Sequence, residues 1–208
     1  MLFLLRRFED VLLGVALILP LAGVAVAGLA RFRAGRGLTT RQAWARSFAE
    51  VGMAVGTVPW LIMGLWPIEL PPGVSQLHVW PLTDVAAELS ASPGNAIVQI
   101  VANLLVFFSL GLLAPVRFAA LAGSGRLLAL GLASSLLLEI SQQAFSTGRV
   151  FSVDDILLNG LGCMIGGLVS RRWWTPASAS ASPEAAGSPG AGDIPEAVVP
   201  EFRDPSSR

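Results

Sequence analysis

The chain has 208 residues, of which 53% are hydrophobic and 13% charged, about half the charged content of an ordinary soluble domain, and its mean hydropathy is +0.66. This balance excludes a large water-soluble catalytic core and points to a membrane protein with room for about four to six helical spans. The formal net charge is zero and all 14 basic residues are Arg, which excludes a globally basic nucleic-acid binder, while the single Cys163 excludes an intramolecular disulfide or a cysteine-based zinc site and reads as a buried thiol.

Residues 11–30, VLLGVALILPLAGVAVAGLA, carry no charge, and as a helix they reach about 30 Å, the thickness of the bilayer hydrocarbon. They form the first predicted span. A cleaved signal peptide is the rival reading, because Arg6 and Arg7 precede the run and Ala25-Val26-Ala27 resembles a cleavage site. The apolar run exceeds a signal core of about 7–15 residues, and Glu9 and Asp10 interrupt the basic flank, so an anchor fits better.

The second span is predicted over 48–66, with Glu50 at its edge, Pro59 inside, and Trp60 and Trp66 toward the far end, where aromatic belts form. A polar connection follows over 67–95, where Pro67, Pro71, Pro72, Pro81 and Pro93 oppose regular helix through much of its length. Its His78 has no second His or Cys nearby and does not read as a zinc ligand. Spans three and four are predicted over 96–115 and 127–145, separated by a loop with Arg117 and Arg126. The fifth runs from near Val153 to before Arg171, and at about 17 residues it is at the lower limit for a helical crossing. Trp173 and Trp174, beside Arg171 and Arg172, read as an interfacial anchor. From Thr175 on, Pro, Ala, Ser and Gly dominate, and the tail reads as disordered and cytoplasmic.

The Arg pattern sets the expected orientation through the positive-inside bias. Arg31, Arg33, Arg36, Arg41 and Arg46 lie between spans one and two, Arg117 and Arg126 between three and four, and Arg171 and Arg172 after five. Placing these in the cytoplasm leaves only Arg6, Arg7 and Arg149 outside, and the 67–95 connection, with Glu69, Asp84 and Glu88, holds no basic residue. The N-terminus is therefore expected outside and the tail inside.

Polar groups within spans are costly, and those that remain usually face a bundle interior or a water-filled cavity. Glu139 lies within span four, with Gln142 and Gln143 continuing its face toward the outer end. In span five, Asp155, Asn159, Gly162 and Gly166 share one helical face, which leaves Leu157, Leu161, Ile165 and Leu168 for lipid. In span three Gln99 and Asn103 share a face that Gly111 extends. Three polar stripes thus meet at one depth in the outer half of the bilayer, just beneath Arg149. Each member also has a structural reading. The amides can bond neighbouring helices, Glu139 can pair with Arg149, and Asp154 or Asp155 can cap the helix they open. Gly52-x-x-x-Gly56 and Gly162-x-x-x-Gly166 read as close helix packing, with a dimer seam as the weaker alternative. No nucleophile triad, phosphate loop, metalloprotease motif or cofactor motif is present.

Three ordered motifs carry a family resemblance. They are Asn103-Leu-Leu-Val-Phe107-Phe108-Ser109-Leu110-Gly111, Glu139-Ile-Ser-Gln142, and Arg149-Val-Phe-Ser152-Val-Asp154-Asp155-Ile-Leu-Leu-Asn159-Gly160-Leu161-Gly162. Together they resemble the VanZ-like membrane proteins, named for a teicoplanin resistance protein, over about residues 50–170. Three positions depart from the family pattern. Ser109 replaces a common Pro, Ser152 a frequent Asp, and Leu82 the Phe that follows the loop proline, here Pro81. The resemblance implies a polytopic envelope protein, in some relatives linked to reduced susceptibility to lipid-tailed glycopeptides, and no established reaction.

The expected fold is all-α, a transmembrane bundle of about five spans with a disordered C-terminal tail. Residues 1–47 are the anchor and Arg-rich loop, 48–172 the VanZ-like membrane domain, and 173–208 the cytoplasmic tail. The candidate ligand-binding residues are Asn103, Glu139, Gln142, Arg149, Asp154, Asp155 and Asn159, with no metal and no cofactor. Membrane lipids, with a lipid-linked envelope precursor among them, are the expected partners, and nucleic acid is not. Binding at the outer leaflet is the leading functional reading. A membrane-embedded enzyme using Glu139 and Asp155 as acid and base is the second, and a proton-coupled carrier the third.

Overall fold

In a computed structural model the chain is described over residues 2–68, 77–145 and 148–174, with side chains from Leu13 on apart from Val15. The predicted disordered tail therefore lies outside the described residues, except for Trp173 and Trp174. The helices are α1 (Leu2–Ala34), α2 (Thr40–Leu65), α3 (Thr83–Ala91), α4 (Pro93–Val106), α5 (Phe108–Arg117), α6 (Ser124–Ala144) and α7 (Val153–Val169), with two-residue strands β1 (Leu77–His78) and β2 (Phe151–Ser152). Four stretches are long and apolar enough to cross a membrane: Ala16–Ala34, Thr40–Leu65, Pro93–Arg117 and Ser124–Ala144. The 17 residues of α7 rise about 26 Å. The fold is an all-α, polytopic transmembrane bundle.

Which residues are buried follows from lipid as solvent. The buried interior is rich in small and polar groups such as Ala30, Ala43, Ala49, Ala114, Ser47, Ser135 and Asn159, with a few large apolar side chains such as Phe107 and Leu127, while Leu17, Leu21, Val24, Leu137 and Phe145 stand exposed. Such an exposed apolar surface would be a liability in water, whereas in a bilayer it is the lipid face, and small residues let helix backbones approach. The four residues expected on the lipid side of α7, Leu157, Leu161, Ile165 and Leu168, are all exposed.

The central element is α7, which packs against α4, α5 and α6. A Cβ on Gly162 would overlap the Leu104 carbonyl, one on Gly166 the Phe108 carbonyl, and one on Gly111 the Cys163 carbonyl. On another side of α7, Gly160 meets Leu132 and Gly167 meets Leu127. The Gly52 and Gly56 positions of α2 face Leu113 and Ser109 of α5, where Thr57 and Ser109 share a hydroxyl hydrogen bond of 2.8 Å. Both glycine patterns therefore serve packing within one chain.

Local chemistry explains the helix starts. The Thr39 hydroxyl accepts from the Gln42 N–H at 3.3 Å at the start of α2, Pro93 opens α4, and the Ser152 hydroxyl accepts from the Asp155 N–H at 3.5 Å at the start of α7. Two expectations gain detail. The span predicted over 96–115 lies within the apolar stretch Pro93–Arg117, which is broken at the buried Phe107 (φ −112°, ψ 11°) into α4 and α5; the break precedes a Ser109/Gly111 pair of the kind that accompanies helix kinks. The proline-rich connection contains α3, because Pro81 and Pro93 stand outside Thr83–Ala91 and leave that stretch free to wind. It also holds β1, which pairs in parallel with β2, Leu77 opposite Phe151 and His78 opposite Ser152.

The alternation of helices gathers charge at one end. The carboxylate of Glu50 bridges Arg33, at 2.5 Å, and the Arg117 Nε, while Arg33 also donates to the Ser47 hydroxyl at 2.8 Å. Because Gly167 meets Leu127, Arg171 and Arg172 lie at the same end as Arg126. The Arg residues of 31–46, 117–126 and 171–172 thus share one end of the bundle, and Arg149 stands at the other.

Candidate functional site

At the Arg149 end lies a cavity of about 410 Å³, within the size range of small-ligand sites. Its wall is built helix by helix. Gln99 and Asn103 come from α4, Glu139 and Gln142 from α6, Asp155 and Asn159 from α7, Trp60, Met63 and Gly64 from α2, and Arg149 from the loop before β2. His78, Asp84 and Glu88, of β1 and α3, form the rim.

The polar groups hold one another with few exceptions. Both amides of α4 turn to Asp155, the Asn103 Nδ2 and the Gln99 side chain each donating to its carboxylate. The Gln142 Nε2 donates to the Gly64 carbonyl at 3.0 Å, and the Arg149 Nη2 donates to the Met63 carbonyl at 3.0 Å, so the C-terminal turn of α2 offers its carbonyls to two site residues. The Gln143 Nε2 donates to the Arg149 carbonyl at 2.9 Å and supports the loop from behind. The Asn159 Nδ2 donates to the Ser135 hydroxyl at 2.8 Å.

Two buried acceptors stay open. Glu139 is 3% exposed, and its carboxylate accepts from the Ser152 N–H, yet its Oε2 has no hydrogen-bond partner among the described residues. Asn159 is also 3% exposed, and its Oδ1 likewise has none. Both residues line the cavity. An unsatisfied buried polar atom costs about 1–3 kcal/mol, so the chain carries these two at the expense of stability.

Six of the seven expected residues, Asn103, Glu139, Gln142, Arg149, Asp155 and Asn159, line this one cavity. The seventh, Asp154, does not. It is 3% exposed and turns the other way, its carboxylate accepting from the N–H groups of Leu82, Asp84 (3.0 Å) and Val85 (3.1 Å). Asp154 caps α3 from another helix and holds that helix over the cavity. The capping expected for one of the paired acids is thus exerted on α3, while α7 takes Ser152 as its own cap.

Sequence reasoning missed the rim. His78, read as solitary, has its Nδ1 2.5 Å from the Asp84 Oδ1, and the Ser152 hydroxyl donates to the Asp84 Oδ2 at 2.6 Å. The partners of Asp84 lie six and 68 residues away in the chain, and only the β1–β2 pairing joins all three. No spacing rule links them.

A family model for VanZ/LLP1 matches residues 41–174. The chain belongs to the VanZ/LLP1 family. No curated protein and no solved structure matches it. The matched segment contains α2 through α7 almost whole and every cavity-lining residue. Its three motifs now have physical assignments. The VanZ-type Asn103 holds Asp155, the Glu139–Gln142 pair spans the cavity floor and the end of α2, and the Arg149–Asn159 stretch supplies rim, cap and wall. The departures also have places. Ser109 bonds Thr57, and Leu82 adopts the left-handed region at φ 66°, its N–H held by Asp154. At Ser152, where the family often has Asp, the neighbouring carboxylate is supplied by Asp84.

Proposed function

We propose that this VanZ-type membrane protein binds the polar head of a lipid or lipid-linked envelope component in the cavity, from the outer leaflet. The observation that carries the reading is the unpartnered Oε2 of Glu139, a buried acceptor on a residue that lines a cavity with Arg149 at its lip. Groups kept unsatisfied at a cost to stability are characteristic of sites that meet a ligand. Arg149 takes the anionic part of the head, and Glu139, Gln142, Asp155 and Asn159 hydrogen-bond the rest. Such binding underlies a lowered susceptibility to glycopeptides that carry a lipid tail.

The orientation belongs to the same proposal. Nine Arg at one end of the bundle support an orientation with that end in the cytoplasm, the N-terminus and the cavity outside, and the tail inside. A cysteine at Ser90, an exposed position of α3, is then labelled by an impermeant maleimide on intact cells. Labelling only after disruption of the membrane overturns the orientation.

The binding reading is tested by untargeted lipid mass spectrometry on the purified chain. A co-purifying envelope lipid that is lost in Glu139→Gln and in Arg149→Ala supports it; the same lipid content in both variants and the parent sinks it. Expression in a susceptible Gram-positive host should raise the inhibitory concentration of a lipoglycopeptide and leave vancomycin unchanged, since each buried CH₂ adds about 0.8 kcal/mol of membrane partitioning. Equal shifts for both drugs would indicate a general envelope effect. A second reading, a membrane-embedded enzyme, draws on the electrostatic coupling of Glu139 and Asp155 across the cavity; turnover of the bound lipid by pure protein separates it from binding.

A further inference from the structure

Resting on that binding reading, the donor and acceptor pattern of the cavity narrows the ligand's chemistry. Among the described residues that line it, two buried side-chain acceptors, Glu139 Oε2 and Asn159 Oδ1, have no hydrogen-bond partner, and both belong to side chains 3% exposed. A ligand that satisfies them must bring N–H or O–H donors, because a phosphate or carboxylate offers only acceptors. Charge points the same way. Glu139 and Asp155 lie close enough to repel one another, and among the described residues Arg149 is the cation that acts on both. At the rim, Asp84 is shared between His78 and Ser152. With both acids ionised, two carboxylates face one Arg, in surroundings where an uncompensated charge is costly and a cationic ligand group offsets it.

We infer that the floor of the cavity takes a primary ammonium, with its N–H groups on Glu139 Oε2 and Asn159 Oδ1. The ligand class is a zwitterionic lipid head of the phosphoethanolamine type, its phosphate turned toward Arg149. A quaternary ammonium carries the same charge and no N–H, and a glycerol head carries hydroxyl donors and no positive charge, so three common heads separate the contributions of charge and of donors.

The experiment reconstitutes the full chain in nanodiscs containing phosphatidylethanolamine, phosphatidylcholine and phosphatidylglycerol of identical acyl composition and reads retained lipid by native mass spectrometry. Phosphatidylethanolamine is expected to be retained about tenfold over phosphatidylcholine, the scale of one charge-assisted hydrogen bond, and also above phosphatidylglycerol. Glu139→Gln should remove that preference. The lipid comparison on the unaltered chain needs no variant to fold. Retention of phosphatidylcholine equal to phosphatidylethanolamine, or a preference for phosphatidylglycerol, overturns the ammonium assignment; if Arg149→Ala still lowers retention of the preferred lipid, the binding reading stands. Retention indifferent to both head group and cavity variants removes both.

Discussion

Glu50 and Glu139 are both acids inside the same bundle, and their surroundings differ in kind. Glu50 joins α1, α2 and α5 by accepting from Arg33 with one oxygen and from Arg117 with the other. Glu139, nearer the opposite end, lines a cavity, accepts from one backbone N–H and leaves its buried Oε2 without a partner among the described residues. The first carboxylate has its charge matched twice, so it ties helices together. The second is under-matched in a more buried position, so its presence weakens the fold and gives the cavity its chemistry. Completeness of pairing, rather than the mere presence of an intramembrane acid, separates a structural group from a site.

The sharpest way to break both regions at once is through α7, which runs between them. Gly162→Leu would drive a side chain into the Leu104 backbone, an overpacking that no rotamer relieves and that costs about 3 kcal/mol or more. We expect no monodisperse protein after detergent extraction; a normal elution profile would show that the α4–α7 contact is looser than described.

Next in size, Glu50→Ala strands Arg33 and Arg117 against each other. Because the pair is partly exposed, with side-chain exposures of 20–30%, the expected loss is about 2 kcal/mol, between the values for surface and buried pairs. It is read as a lower midpoint of thermal aggregation, with lipid retention unchanged at the temperatures where the variant stays folded. Asp154→Ala should cost about 1–2 kcal/mol, since three backbone N–H groups lose their acceptor. Its signature is local: amide exchange across 82–91 rises while α6 and α7 keep their protection. Uniform deprotection would mean that Asp154 supports the bundle and not the cover over the cavity.

The smallest change in stability is expected where the functional change is largest. Glu139→Gln removes a poorly matched charge at near-constant volume, so the melting midpoint should move by less than about 1 kcal/mol equivalent, upward if at all, while lipid retention falls. A marked loss of stability would place Glu139 beside Glu50 as a structural acid and erase the contrast. Combining Glu139→Gln with Arg149→Ala should lower retention no further than either alone, because the two residues act on one ligand; additive losses would indicate independent contributions.

Helix periodicity made much of this legible. The uncharged runs gave the membrane class and the approximate spans, and the spacing of Asp155, Asn159, Gly162 and Gly166 gave one inward face of α7 opposite four leucine and isoleucine positions that are exposed. Those arguments work because a helix converts sequence spacing into a fixed angle, and because apolar length maps directly onto bilayer thickness. The meeting of Asn103, Glu139, Asp155 and Asn159 at one depth also followed from counting residues along alternating helices.

Other features depend on contacts that no period encodes. The break at Phe107 has no proline to announce it. The short helix α3 sits between prolines that argued against it, and it is held at Leu82, Asp84 and Val85 by an aspartate from the far end of the matched segment. Asp154 and Asp155 are neighbours in sequence with opposite roles, because adjacent helical residues point about 100° apart, one toward α3 and one into the cavity. Local spacing determined which faces are polar and which meet lipid. Only the tertiary structure decided which polar atoms on those faces find partners, because each partner lies on a different helix and its position is set by how closely the glycines let the backbones approach.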